Sequence, residues 1–176
     1  MDIIDFFRLE QKRVHDWMRR ALSDLTPEEW HYKLEGNSNN IAFIIWHCVR
    51  TEDNILRFIL QGRQPIWNEE NWHDSLGLPP RVQGTGMAAE EARQFQIADI
   101  QLFMQYIEEV WREFEEYLAN VQDGGKALSE REVTVKPLGK MSAIQAIGQV
   151  CITHLFIHLG EIAAIEGALG KKGLPI

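Results

Sequence analysis

Seven apolar residues, Ile97, Ile100, Met104, Ile107, Trp111, Phe114 and Leu118, advance by alternate steps of three and four, with Glu and Gln filling much of the space between them. An α-helix returns to the same side about every 3.6 residues, so this spacing lays one apolar stripe along a long helix and leaves the other side polar. Such a stripe is buried only against other elements, and the chain supplies three more of the same kind. Asp2 to about Leu25 carries Ile3, Phe6 or Phe7, Val14, Trp17, Met18, Ala21 and Leu25 at helical spacing, with Asp2 as cap. Thr26-Pro27-Glu28-Glu29 has the form of a capping box with proline in the first turn, which predicts a short helix through Trp30. After the turn cluster Gly36-Asn37-Ser38-Asn39-Asn40, a second long helix runs to about Gln61 and is closed by Gly62. Ile44, His47, Thr51, Asn54 and Phe58 share one of its faces; Ile41, Ile45, Cys48, Ile55 and Ile59 form the face beside it. The last long helix starts near Ser142 and ends near Gly167 or Gly170, with a seam of Ile144, Ile147, Cys151, His154, His158, Glu161, Ile165 and Ala168. The expectation is an all-α four-helix bundle, one domain over residues 1–176, with a long crossover between the second and third long helices.

That crossover, residues 62 to about 87, holds Gly62, Pro65, Gly77, Pro79, Pro80, Gly84 and Gly86 around Trp67 and Trp72. Connections of this length are either packed crossovers or binding loops, and both readings stand. A weak alternation over Arg131–Lys136 suggests a short extended segment before Pro137. Eighteen Lys+Arg against twenty-six Asp+Glu give a net charge of −8, which repels phosphate backbones and argues against nucleic-acid binding. The longest unbroken apolar run, Ile41–Trp46, is far short of the ~20 residues of a bilayer span, so no membrane partner is expected. Two cysteines, Cys48 and Cys151, make no disulfide framework, and Asp2 and Asp5 precede any basic residue, the wrong order for a secretory signal; a cytoplasmic location is expected.

The chemistry sits in the last seam, where His154, His158 and Glu161 interrupt an otherwise apolar row. Residues four apart differ by only about 40° around a helix, so the two imidazoles stack on one face and both reach a metal at ~2.0–2.1 Å. His47 stands in the seam of the second helix between Ile44 and Phe58 and is expected to face inward too. Three neutral imidazoles with one open position form the donor set of a divalent zinc, nickel, iron or manganese ion. The competing reading is a buried polar network without metal, in which each nitrogen finds a protein partner. Glu161 suits three roles: a fourth ligand, an acceptor for a ligand's ring N–H, or a general base on bound water or thiol; otherwise it pairs with Arg50, one turn after His47. Cys151, one turn before His154, is a ligand or a small core residue, and Cys48 is packing. His15 and His31 are expected on the surface, and His73 in the crossover is a candidate cap over the site. No G-x-S-x-G elbow, Walker loop, G-x-G-x-x-G or H-E-x-x-H occurs.

Asn37-Ser38 followed by Ile41-Ala42-Phe43-Ile44-Ile45-Trp46-His47 and Arg50-Thr51-Glu52-Asp53 resembles the second helix of the DinB-like superfamily. The run His154 to Ile162, then Gly167 and Gly173-Leu174-Pro175, resembles its last helix, and Trp67, the Trp72 segment and Gly84-Thr85-Gly86 suit the same family. The resemblance implies a four-helix bundle with a long second crossover and a three-histidine metal site mapping onto His47, His154 and His158. It also implies a homodimer and a metal-dependent transferase or isomerase that uses a low-molecular-weight thiol such as bacillithiol, mycothiol or glutathione. Many relatives carry Gln where this chain has Glu161, and a carboxylate there adds negative charge beside the ion.

The function expected first is therefore thiol S-transfer: a metal lowers the thiol's pKa, the thiolate attacks a small-molecule electrophile held under the 62–87 loop, Glu161 orients a histidine or takes the thiol proton, and the loop tryptophans wall the site. Metal-dependent hydrolysis and a non-catalytic metal- or ligand-binding dimeric bundle are the alternatives.

Overall fold

The computed structural model describes residues 1–36 and 38–173; Asn37 of the turn cluster and Leu174-Pro175 of the closing run lie outside the described residues. Helix α1 (Ile3–Ser23) opens on an Asp2/Asp5 capping box. It buries Ile4, Phe7, Val14, Met18 and Leu22, while Ile3 and Phe6 face solvent. Helix α2 (Pro27–Trp30) has the predicted Thr26/Glu29 capping box and drives Trp30 into the core. Helix α3 (Ile41–Asp53) is capped by Asn40, whose side chain accepts from Phe43 N at 2.8 Å, and it runs on as a π-helix through Asn54–Leu60. The crossover is not a bare loop: it folds into α4 (Ile66–Glu69), α5 (Trp72–Leu76) and α6 (Ala89–Arg93). Helix α7 (Ile100–Ala119) starts at the Asp99 cap, so Ile97 is buried ahead of the helix instead of within it. A 3-10 turn (Asp123–Gly125) leads to α8 (Lys126–Glu130). The expected extended segment is strand β1 (Glu132–Val135), and it has an unforeseen antiparallel partner, β2 (Gly139–Ser142), with Val133 opposite Met141. Helix α9 (Ala143–Ala146), a second π-helix (Ile147–Thr153) and α10 (His154–Ala168) form one continuous rod.

The four long rods make the bundle. Helix α1 packs on α7 and α10, and α3 packs on the same two, so α1 and α3 occupy opposite corners. Trp30, Trp46, Trp67 and Trp111 are fully buried between them. The rod Ala143–Ala168 is long and apolar enough to cross a membrane by length and composition. Here its apolar stripe of Ile147, Cys151, Leu155, Leu159 and Ile162 is packed into the core.

Both π-helices correct the seams read from sequence. A π-turn admits an extra residue and rotates everything beyond it by roughly one position. In α3 this carries Phe58, expected inside, to 59% exposure. In the last rod, Thr153 Oγ1 donates to Gly148 O at 3.0 Å, one residue further back than an α-turn allows. The core row beyond it is Leu155, Leu159 and Ile162, and the row of His154, His158 and Glu161 lies on the flank: the histidines are half-buried and Glu161 is exposed.

Candidate metal centre

The flank of α10 meets the flank of α3 with three imidazoles. His47 Nε2 lies 3.1 Å from His154 Nε2, and His158 Nε2 lies 3.0 Å from the same atom. One ligand atom from each of the three falls within 4.8 Å of the others. The i,i+4 spacing does what geometry requires of it: the His154 and His158 rings stand edge to face with centroids 4.4 Å apart. His47 comes in from α3 with its ring lying parallel to Phe43.

The far side of each ring decides what the near side can do. His47 Nδ1–H donates to the Gln83 carbonyl at 2.5 Å, and His158 Nδ1–H donates to Glu161 Oε2 at 2.9 Å. A neutral imidazole carries one proton, so both Nε2 atoms present lone pairs to His154 Nε2. His154 has one proton to offer, and two acceptors face its Nε2. Its Nδ1 is buried without a hydrogen bond of good geometry, the Val150 carbonyl one turn earlier being the acceptor on that side. With the three rings neutral, no arrangement of protons satisfies all three near-side nitrogens. A cation among them does, and ring N–H groups tied to a carbonyl and a carboxylate are the usual outer support of histidine ligands. The residues therefore fit a divalent transition metal.

Electrostatics favour the neutral ligands that a metal needs. Burial, then the neighbouring His158 and His47, pushes the His154 pKa down to about 4. Burial also lowers that of His47. The hydrogen bond from His158 holds Glu161 below the ordinary carboxylate range, so it is ionised at neutral pH.

Several expectations change. Arg50 does not pair with Glu161; it turns to Asp53 at 3.4 Å. Cys151 and Cys48 are fully buried, with thiols pushed well up by burial, and act as core residues. His73 caps nothing: its ring bonds Asp74 at 3.1 Å. Trp67 and Trp72 do not wall the site. Trp67 is fully buried with its Nε1–H on the Pro79 carbonyl, and Trp72 Nε1–H donates to Glu109, so both anchor the crossover to the bundle. His31 is half-buried, donating to Pro27 O at 2.7 Å and accepting from Ile97 N at 3.1 Å. His15, expected on the surface, is fully buried, with Nε2 2.9 Å from Glu52 Oε1.

The residues missed are those of the crossover. Gln83 supplies the carbonyl that fixes the His47 tautomer, and Gly84 lets it come close. At φ +87°, a Cβ on Gly84 would stand 3.0 Å from Phe43 Cζ and 3.2 Å from His47 Nδ1. The short Gly84-Thr85-Gly86 run was the only signal of this in the sequence, and glycine spacing alone does not say what a loop approaches.

A sequence profile described as DinB superfamily matches residues 10–162. Among solved structures, the chain is similar to a conserved protein from Enterococcus faecalis, with 18% identity, a TM-score of 0.79, and coverage of 97% of this chain and 99% of that one. No curated protein matches the sequence.

Proposed function

The chain belongs to the DinB superfamily, and from that premise we propose that it is a divalent-metal-dependent enzyme of the thiol S-transferase type. The observation that carries the reading is the convergence of three Nε2 atoms with fewer protons than acceptors, on a flank that solvent reaches. His47, His154 and His158 hold the ion, with zinc or nickel favoured and iron or manganese compatible. When bound, it supplies Lewis acidity that lowers the pKa of a thiol or water at its open position.

The chain's own groups do the rest. Gln83 and Glu161 hold two of the rings in the tautomer that points Nε2 at the ion. Glu161 is ionised and about half-exposed, so the carboxylate oxygen not taken by His158 accepts the thiol proton. The sulfur then bonds to the electrophilic carbon, and the leaving group departs with the electron pair of the broken bond.

The first test is elemental analysis of native protein purified without chelator or histidine tag. About one equivalent of transition metal per chain is expected; none, and none taken up from zinc, nickel or manganese, overturns the reading. Loaded protein is then assayed against electrophiles with and without a low-molecular-weight thiol. Turnover that requires thiol supports S-transfer. Turnover without thiol makes the protein a hydrolase, and metal uptake with no turnover makes it a binding bundle.

A further inference from the structure

Between the end of α3 with the π-helix that continues it and the crossover lies a cavity of about 650 Å³. Arg50, Arg63 and Arg81 line it, with Asn54, Asn68 and Gln83 among its amides, and no Asp or Glu does. In a chain of net charge −8, a cavity walled by three guanidiniums and no carboxylate is the reverse of the average surface. The contrast with Arg57 is local: one turn from the cavity, Arg57 is matched by Glu69 at 2.6 Å and Glu113 at 2.5 Å.

Arg50 is the built part. It is 3% exposed, its guanidinium lies over the Trp67 ring at 4.8 Å, and its Nε has no hydrogen-bond partner among the described residues. Its carboxylate partner among the described residues, Asp53, is already occupied. Asp53 accepts from Ile66 N at 2.8 Å, Trp67 N at 2.9 Å and the Tyr106 hydroxyl at 2.9 Å, which leaves Arg50 a long contact of 3.4 Å. A buried guanidinium with spare donors is costly unless an anion completes it. Arg63, half-exposed, makes looser contacts with Glu69 at 3.3 Å and Glu113 at 3.9 Å, and Arg81 makes no ion pair among the described residues. The exposed Phe58 adds an apolar wall.

We infer that this cavity binds the anionic oxygens, carboxylate or phosphate, of a small organic molecule, with Arg50 as the buried anchor and Arg63 and Arg81 closing on it. The cavity and the metal centre share Gln83: its side of the cavity wall is the same residue whose carbonyl holds His47. Read with the proposed function, the anion is a handle of the thiol or of its electrophile; the binding itself does not depend on that reading.

The test is calorimetric titration of metal-stripped wild-type protein, and of metal-free His158→Ala protein, with succinate, inorganic phosphate and uncharged succinamide. Saturable binding of succinate or phosphate, weakened by added NaCl, is expected in both proteins, and the tighter of the two names the source of the oxygens. Arg81→Ala and Arg63→Ala should each weaken it about fivefold, and Arg50→Lys, which keeps the charge and loses the fork, about tenfold or more. No anion binding, or succinamide binding as well as succinate, overturns the inference. Because neither protein contains metal, such a failure leaves the metal reading standing, and a failure of metal uptake leaves this one standing.

Discussion

Histidine stands in two polar clusters of the bundle, a fully buried one at the centre and a half-buried one on the flank, and the two are built differently. At the centre, where α1 and α3 face each other across the diagonal, His15 Nε2–H donates to Glu52 Oε1 at 2.9 Å and Trp111 Nε1–H donates to Oε2 at 3.0 Å. His15 stacks on Trp111 with ring centroids 4.4 Å apart, and His15 and Glu52 are fully buried. There one carboxylate accepts from both facing ring nitrogens, in a place that water does not reach, and His15 Nδ1 on the far side has no partner among the described residues. On the flank, three imidazoles meet with no carboxylate among their facing nitrogens, and two lone pairs compete for one proton. The difference teaches that a buried histidine is not a sign of chemistry. An excess of acceptors converging where solvent arrives is.

Breaking the central pair should have the largest effect. Glu52→Ala strands the His15 and Trp111 donors in a sealed core, and removing one partner of such a buried network costs about 3–5 kcal/mol. A urea unfolding curve reads the loss directly. Metal bound per folded chain should not change; a fall in metal content of the folded fraction would mean that the two clusters are one system.

The flank should behave in the opposite way. His158→Ala removes a ligand from a half-buried position, so metal content should fall from about one equivalent to near zero, while the stability of the metal-free protein moves by about 1 kcal/mol or less. Unchanged metal content would eliminate the three-histidine site. Gly84→Ala probes the same centre from outside: the added methyl meets Phe43 and His47 at a φ that disfavours any side chain, and lifts the Gln83 carbonyl from the ring. Losing that support should weaken metal affinity by about tenfold. A competition titration against a chelator of known affinity would show it, and an unaltered affinity would remove Gln83 from the site.

The same contrast explains what could be read in advance. The clustering of His47, His154 and His158 was legible because i,i+4 spacing and seam position are local properties, and the heptad stripe of α7 pointed to the bundle for the same reason. Phe58 and the orientation of the last seam were not, because one extra residue in a π-turn rotates everything after it and no composition rule marks the place. His15 was misplaced at the surface because the group that justifies burying it, Glu52, lies thirty-seven positions away on the opposite corner. Trp67 and Trp72 looked like the walls of a site and are anchors, since an indole N–H that finds a carbonyl or carboxylate is content in a core. Gln83 was invisible in principle: it acts through its backbone carbonyl, which every residue has.

The flank can also be probed without metal, through pH dependence. The His154 pKa falls from an ordinary 6.5 to about 4 on folding, mainly through burial. Between those values the unfolded chain binds a proton that the folded chain refuses. Stability of the metal-free protein should therefore rise as pH climbs from about 4 to 6.5 and flatten above. His47 shifts in the same direction and adds to the slope. Glu161, lowered from 4.5 by its bond to His158, acts only below that value, while Glu166 and Asp53, raised by burial, oppose the histidine slope, so the histidine share is read as the difference between wild type and variant from pH 4.5 to 6.5. His154→Gln should flatten the profile across this window, read as the unfolding midpoint in urea at each pH. A slope that survives the substitution in full would have to come from elsewhere in the molecule, and His154 would then not be the strained neutral ring on which the metal site turns.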